Sequence, residues 1–140
     1  MSTAALLPHQ METMLTENQI SNKVIGLAID AHTALGPGLL ESAYKECMYY
    51  KIVQAGLISE KEKSMPLIFE EVKLECGYRM DLLVENKVVI EIKSVEALND
   101  VHLVQTLTYM KLGKYKLGLL MNFNVARFKN GIRRVINGTL

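Results

Sequence analysis

Two runs rich in Val, Ile and Leu, residues 78–84 and 88–93, flank the polar triplet Glu85-Asn86-Lys87. Aliphatic runs of this length, with β-branched residues concentrated in the second, favour strands, and three polar residues between them favour a tight reversal. A hairpin is therefore the element that most restricts the rest of the fold. With Asn86 at its centre, Asp81 falls opposite Glu91. Opposed residues point to one face, with Cβ atoms roughly 5 Å apart. Alternation puts Lys93 on the same face as Glu91, sets Arg79 against Lys93, and turns Ile90 and Ile92 toward the core. A one-residue slip would undo the arrangement.

Opposed carboxylates repel unless a cation lies between them. Mg²⁺ fits such a place, being hard, oxygen-seeking and content with one or two carboxylates plus water and phosphate. A lysine alongside can orient or deprotonate a water, or neutralise charge on an attacked phosphate. Asp81, Glu91 and Lys93 are thus candidates for metal-assisted phosphodiester hydrolysis. The plainer alternative is a solvated sheet face of mixed charge.

The elements around the hairpin follow from spacing. Ile20, Val24, Leu27 and Ala31 predict a helix over 19–34, capped by Asn18 or Ser21 and stopped at Gly36-Pro37-Gly38. Leu40, Tyr44, Cys47 or Met48, and Ile52 predict a second over 40–54. Residues 59–68, broken by Pro66, read as an edge strand or loop, and 72–74 as a short strand. A third helix is expected over 100–112, with Leu103, Leu107 and Met110 on its core side and His102, Gln105 and Tyr109 on another. Residues 116–122 are nearly all apolar, as in a strand covered on both faces, and 132–136 could add an edge. The order ααβββαβ implies an α/β (α+β) sandwich, a mixed sheet flanked by helices. Residues 1–17 lack a sustained period and are expected to be a flexible segment before a single domain over 18–140.

The totals are compatible. A chain of 140 residues, 49% hydrophobic and 22% charged, can bury one core. Its apolar runs are too short to cross a bilayer, and no secretory signal is evident at its start. Two cysteines without a Cys-x-x-Cys pair fit a reducing cytoplasm. The net charge of +1 is unevenly spread: residues 101–140 carry seven Lys/Arg and no acid. That favours either a polyanion-facing surface or a merely solvated basic tail.

Gly38-Leu-Leu-Glu41-Ser-Ala-Tyr44 matches a Gly-x-x-Glu-x-x-Tyr signature. In the same order follow Tyr78-Arg-Met-Asp81-Leu-Leu-Val, Ile90-Glu91-Ile-Lys93, Val101-His102-x-x-Gln105-x-x-x-Tyr109-Met-Lys and Leu117-Gly-Leu-Leu-x-Asn-Phe-Asn124. Over roughly residues 20–137 the sequence resembles the GxxExxY protein family, which is grouped with the PD-(D/E)xK nuclease superfamily. The resemblance implies a restriction-endonuclease-like core and a Mg²⁺- or Mn²⁺-dependent nuclease acting on nucleic acid, DNA foremost. It implies that Asp81 and Glu91 bind metal, with the Ile92 carbonyl as a further ligand, and that Lys93 is the catalytic lysine. It places Glu41 as a helix glutamate reaching the metal directly or through water. Gln105 and Tyr109 match the Q-x-x-x-Y element of RecB-like members. Met80 stands where the motif has proline, a position that binds no metal.

Tyr44 shares a helical face with Glu41, and Arg79 and His102 lie close enough to be further substrate contacts. A structural role for His102, and a helix-dipole role for Glu41, remain open beside these. A homodimer or a targeting partner protein would suit so small a nuclease. The rival readings are a non-catalytic nucleic-acid- or protein-binding module that keeps the fold, and a structural protein whose hairpin charges are only solvated.

Overall fold

The computed structural model describes residues 13–140. Helix α1 (Glu17–Leu35) and helix α2 (Glu41–Gln54) are followed by strands β1 (Ser59–Ser64), β2 (Leu67–Phe69), β3 (Val72–Leu74), β4 (Arg79–Val84) and β5 (Val88–Lys93). Helix α3 (Asp100–Gly113) then leads to β6 (Leu117–Asn122), a 3-10 turn (Phe128–Gly131) and β7 (Ile132–Ile136). Five strands form a mixed sheet in the order β1-β4-β5-β6-β7, and β2 and β3 make a separate ribbon. The expected ααβββαβ order is present in β1, β4, β5 and β6, with the ribbon inserted and β7 added at an edge.

Helix α1 begins earlier than its apolar period suggests. Thr16, rather than Asn18 or Ser21, caps it: the Thr16 hydroxyl accepts from the Gln19 N–H, and the Gln19 side chain accepts from the Thr16 N–H. This reciprocal pair satisfies two of the free donors at the helix start. Ser21 is instead buried. The expected flexible segment lies mostly outside the described residues. At its end, the Thr13 hydroxyl donates to Glu85 (2.9 Å) and the Leu15 carbonyl accepts from Lys87 (3.1 Å).

The sheet has a different core on each face. Leu82, Val84, Val88, Ile90 and Ile92 pack with Leu117, Leu119, Met121 and Phe123 against α1 and α2. Met80, Leu83 and Val89 pack with Met65, Tyr109 and Met110 on the α3 side. Every residue of β6 is buried, as its nearly unbroken apolar sequence favours, and the polar Asn122 ends it. The contact side of α3 is centred on Thr106, Tyr109 and Met110, whereas Leu103 and Leu107 are half-buried. Gly118 accounts for this shift: a Cβ there would stand 2.7 Å from Met110 Sδ and 3.1 Å from Thr106 Cγ2. The missing side chain lets α3 press its Thr106–Met110 edge onto β6, which turns Tyr109 inward.

Candidate active site

The β4–β5 hairpin is regular near its turn. Val84 pairs with Val88, Leu83 with Val89 and Leu82 with Ile90. Glu85 and Asn86 take left-handed φ values of 52° and 53°, and the Lys87 N–H donates to the Val84 carbonyl at 3.0 Å. The same register carried one step further sets Asp81 against Glu91. At that step carboxylates replace the backbone ladder. The Asp81 N–H donates to Glu91 Oε2, and the Ile92 N–H donates to Asp81 Oδ2, each at 2.8 Å.

The opposite edge of β4 opens at the same residue. Pairing with β1 steps from Lys61↔Leu82 to Lys63↔Met80, passing over Glu62 and Asp81. Glu62 has a φ of 53°, a conformation that turns a non-glycine strand residue out of the ladder. Side-chain alternation is disturbed too, since Met80 joins Leu83 in the α3-side cluster.

Burial sets the electrostatics of this seam. Glu91 is only 2% exposed. Loss of water first, and then the charge of Asp81, push its carboxyl up to about 8, although the Asp81 N–H favours the ionised form. The Asp81 carboxyl is also raised, by burial first and by the charge of Glu41, against the opposing effects of the Ile92 N–H, Lys45 and Lys93. The two acids therefore share a place that is short of positive charge.

Helix α3 closes one side. Lys93 Nζ donates to Gln105 Oε1 at 3.2 Å, and Gln105 Nε2 donates to the Tyr109 hydroxyl at 3.3 Å. Tyr78 meets Tyr109 edge-on, with ring centroids 6.2 Å apart. Burial, together with the charges of Glu91 and Asp81, raises the Tyr109 hydroxyl above the usual tyrosine value. The fold thus brings Asp81, Glu91, Lys93, Gln105 and Tyr109 together.

A sequence model of the PD-(D/E)XK nuclease superfamily matches residues 18–135. The chain belongs to this superfamily. No curated protein and no solved structure matches it.

Other expected site residues of this PD-(D/E)XK chain have different surroundings. Glu41 is exposed at the first turn of α2, and its charge is felt by both Asp81 and Glu91. Arg79 is exposed at the start of β4, and its charge favours ionised Glu62. Tyr44 is wholly buried, stacked on Phe123 at 4.7 Å. Its hydroxyl donates to the Gly36 carbonyl and accepts from the Leu39 N–H, so it clamps the loop leading to Glu41. His102 is part of a helix cap: Nδ1 accepts from the Asn99 N–H, and the His102 N–H donates to Asn99 Oδ1, both at 3.1 Å. Ile92 buries its side chain in the α1–α2 core.

Three residues join the site without having been given a role in the sequence, although Asn122 stands in a quoted motif. Lys45 donates to Glu62 Oε1 at 2.7 Å and lies 3.9 Å from Asp81 Oδ1. Its position four residues after Glu41, on the same helical face, is the signal that could have found it. Glu62 gave no signal, because nothing in the run Ser-Glu-Lys-Glu-Lys-Ser marks which residue turns left-handed. Asn122 is buried beyond Lys93. Its Oδ1 accepts from the Val95 and Asn124 N–H groups, and its Nδ2 donates to the Val95 carbonyl. That fixes the chain just after the lysine.

The donor set suits the divalent ion that superfamily nucleases generally use. Asp81 and Glu91 each have one oxygen engaged by a backbone N–H and a second oxygen left over, and burial, with neighbouring acids, raises both carboxyls. Among the described residues, no three His, Cys, Asp or Glu side chains stand together as a complete ligand cluster. Water and substrate oxygens usually complete a magnesium shell, so two protein carboxylates are chemically sufficient.

Proposed function

We propose that the protein is a Mg²⁺- or Mn²⁺-dependent nuclease that hydrolyses DNA phosphodiesters, of the GxxExxY branch of its superfamily. The observation that carries this reading is the seam where the Asp81 and Glu91 carboxylates replace the β4–β5 ladder beside Lys93. Asp81 and Glu91 would hold the ion, with the Ile92 carbonyl and Glu41 as further donors, directly or through water. When bound, the metal supplies Lewis-acid polarisation of a phosphoryl oxygen and a more acidic water.

Lys93 orients or deprotonates the attacking water, or offsets charge on the phosphate. Gln105 holds the Lys93 ammonium in place, and Tyr109 holds Gln105. Tyr44 acts through the loop it clamps, and His102 through the start of α3. Sequence-independent phosphate contacts would come from exposed cations. Arg127 and Lys129 are the best placed of the basic C-terminal forty residues. They follow β6 at the end where Asn122 pairs with Lys93, whereas Lys111, Lys114 and Lys116 lie at the other end of that strand. Free Cys47 and Cys76 suit a reducing cytoplasm. No helix among the described residues is long and apolar enough to cross a membrane.

The test is cleavage of plasmid and single-stranded DNA in Mn²⁺ or Mg²⁺. Asp81→Ala and Lys93→Ala should abolish it. Equal cleavage by parent and both variants would refute the assignment.

A second reading is a non-catalytic nucleic-acid- or protein-binding module. It is favoured by the way backbone N–H groups fix one oxygen of each acid within the sheet. It requires DNA binding in EDTA and no heat of Mn²⁺ binding.

A further inference from the structure

We propose that Lys45 is a stand-in cation, which compensates Asp81 until a divalent ion takes that place and then withdraws onto Glu62. The proposal rests on the metal-dependent reading above and concerns how that metal enters.

Three observations carry it. First, Asp81 Oδ2 is taken by the Ile92 N–H, which leaves Oδ1 as the oxygen open to a cation. Lys45 Nζ lies 3.9 Å from that Oδ1, too far for a hydrogen bond but close enough for strong attraction. Second, the same Nζ already has a firm anchor, Glu62 Oε1, at 2.7 Å. A lysine whose purpose was to fix Asp81 would make its short contact there. Here the short contact is to a neighbour, and the lysine leans toward the metal-facing oxygen. Third, Glu62 is held in a left-handed conformation at the point where β1 and β4 part. Left-handed glutamate is costly and persists where its surroundings demand it. This kink brings an acid to Lys45 beside Asp81.

The exposure of the three side chains agrees. Side-chain exposure is 15% for Lys45, 18% for Asp81 and 50% for Glu62. The arm of the lysine that faces Asp81 is therefore the drier one, where an arriving dication would repel it most. The Glu62 arm is wetter and can accept the displaced ammonium without a new burial cost.

Titration calorimetry of the full chain, stripped with EDTA and titrated with MnCl₂, tests the hand-off. Lys45→Met keeps the aliphatic stem and removes the competing charge. It should bind Mn²⁺ about tenfold more tightly, the scale left after solvent screening of a unit charge near one carboxylate. Lys45→Gln serves as a second replacement, should the methionine disturb packing, and should shift affinity the same way. Glu62→Gln removes the retreat and should weaken binding. In the Lys45→Met background the same Glu62→Gln change should have little effect, because there is no ammonium left to receive.

The rise in melting temperature on adding Mn²⁺ should be larger for Lys45→Met than for the parent. Unchanged or weaker Mn²⁺ binding in both Lys45 variants overturns the proposal. So does a Glu62→Gln loss of equal size in both backgrounds, which would mean that Glu62 attracts the ion directly. If neither parent nor variants bind Mn²⁺, the metal-dependent reading falls and takes this proposal with it. Binding by the Lys45 variants alone would support it.

Discussion

The two ends of the β4–β5 hairpin are built from similar sequence and do opposite things. At the turn end, Leu82–Val84 face Val88–Ile90 in unbroken register, and all six residues are buried. At the open end, one residue further on, the ladder gives way to two carboxylates that take the backbone N–H groups. The turn end removes apolar surface from water and satisfies every strand group by pairing, so it supplies stability. The open end buries like charges, which opposes folding but leaves a place for a cation. The difference teaches that the regular end holds the irregular end in place. Without the first, Asp81 and Glu91 would move apart and shed their repulsion.

Substitutions at the two ends should therefore separate activity from stability. The largest effect is expected at the open end. Asp81→Ala should lower Mn²⁺-dependent cleavage by at least about a thousandfold, since it removes a metal ligand from the reacting centre. Its melting temperature in EDTA should hold or rise, because one of two repelling acids has gone. At the turn end, Ile90→Ala should cost about 2–5 kcal/mol by cavity formation. Its cleavage rate, per folded molecule and below its melting transition, should stay within a fewfold of the parent. Urea denaturation and plasmid nicking check both. Loss of stability in Asp81→Ala without loss of cleavage would erase the distinction between the ends.

Much of this contrast can be read in the sequence, and the reason is periodicity. The centre of Glu85-Asn86-Lys87 sets the hairpin register, and the register places Asp81 against Glu91. Gln105 and Tyr109 lie one helical turn apart, so their side chains meet once α3 covers the sheet. Departures from regularity are harder to read. Alternation would put Met80 with Leu82, yet it packs with Leu83, because β4 is distorted at Asp81. The core side of α3 depends on a glycine in β6, so no reading of the helix alone could prefer Thr106 and Tyr109 to Leu103 and Leu107. Lys45 enters through a contact between α2 and β1, a helix and a strand with no shared period, so only its spacing from Glu41 hints at it.

A pH titration sharpens the comparison from the electrostatic side. In the folded chain the Glu91 carboxyl keeps its proton up to about 8, whereas the unfolded chain releases it near the ordinary glutamate value of 4.5. Between these values the folded state binds more protons. Metal-free stability should thus be full below the lower value and be lost as pH rises through the higher one. Glu91→Gln should flatten that decline, leaving only the part due to Asp81, whose carboxyl is shifted the same way. Ile90→Ala should lower the whole curve without altering its slope. Saturating Mn²⁺ should oppose the decline, because ligand carboxylates must be ionised to bind metal. Chemical denaturation at intervals of pH reads all four curves. A flat profile for the parent would mean that the open end is not short of positive charge.

The smallest effect is expected one contact away from the acids. Gln105 is exposed, and its carbonyl oxygen takes one hydrogen bond from Lys93 at 3.2 Å. Gln105→Ala should leave stability nearly unchanged and slow cleavage by about tenfold, as losing a partner that orients an active group commonly does. Gln105→Glu should retain the acceptor but add an acid to a crowd of acids. It should therefore hold Lys93 while raising the Asp81 and Glu91 carboxyls further, moving the rising limb of the pH–rate profile to higher pH. If Lys93 needs only to be present, the two variants will cleave alike. If it needs to be aimed, alanine will lower the rate at every pH, and glutamate will be slow chiefly on the acid side.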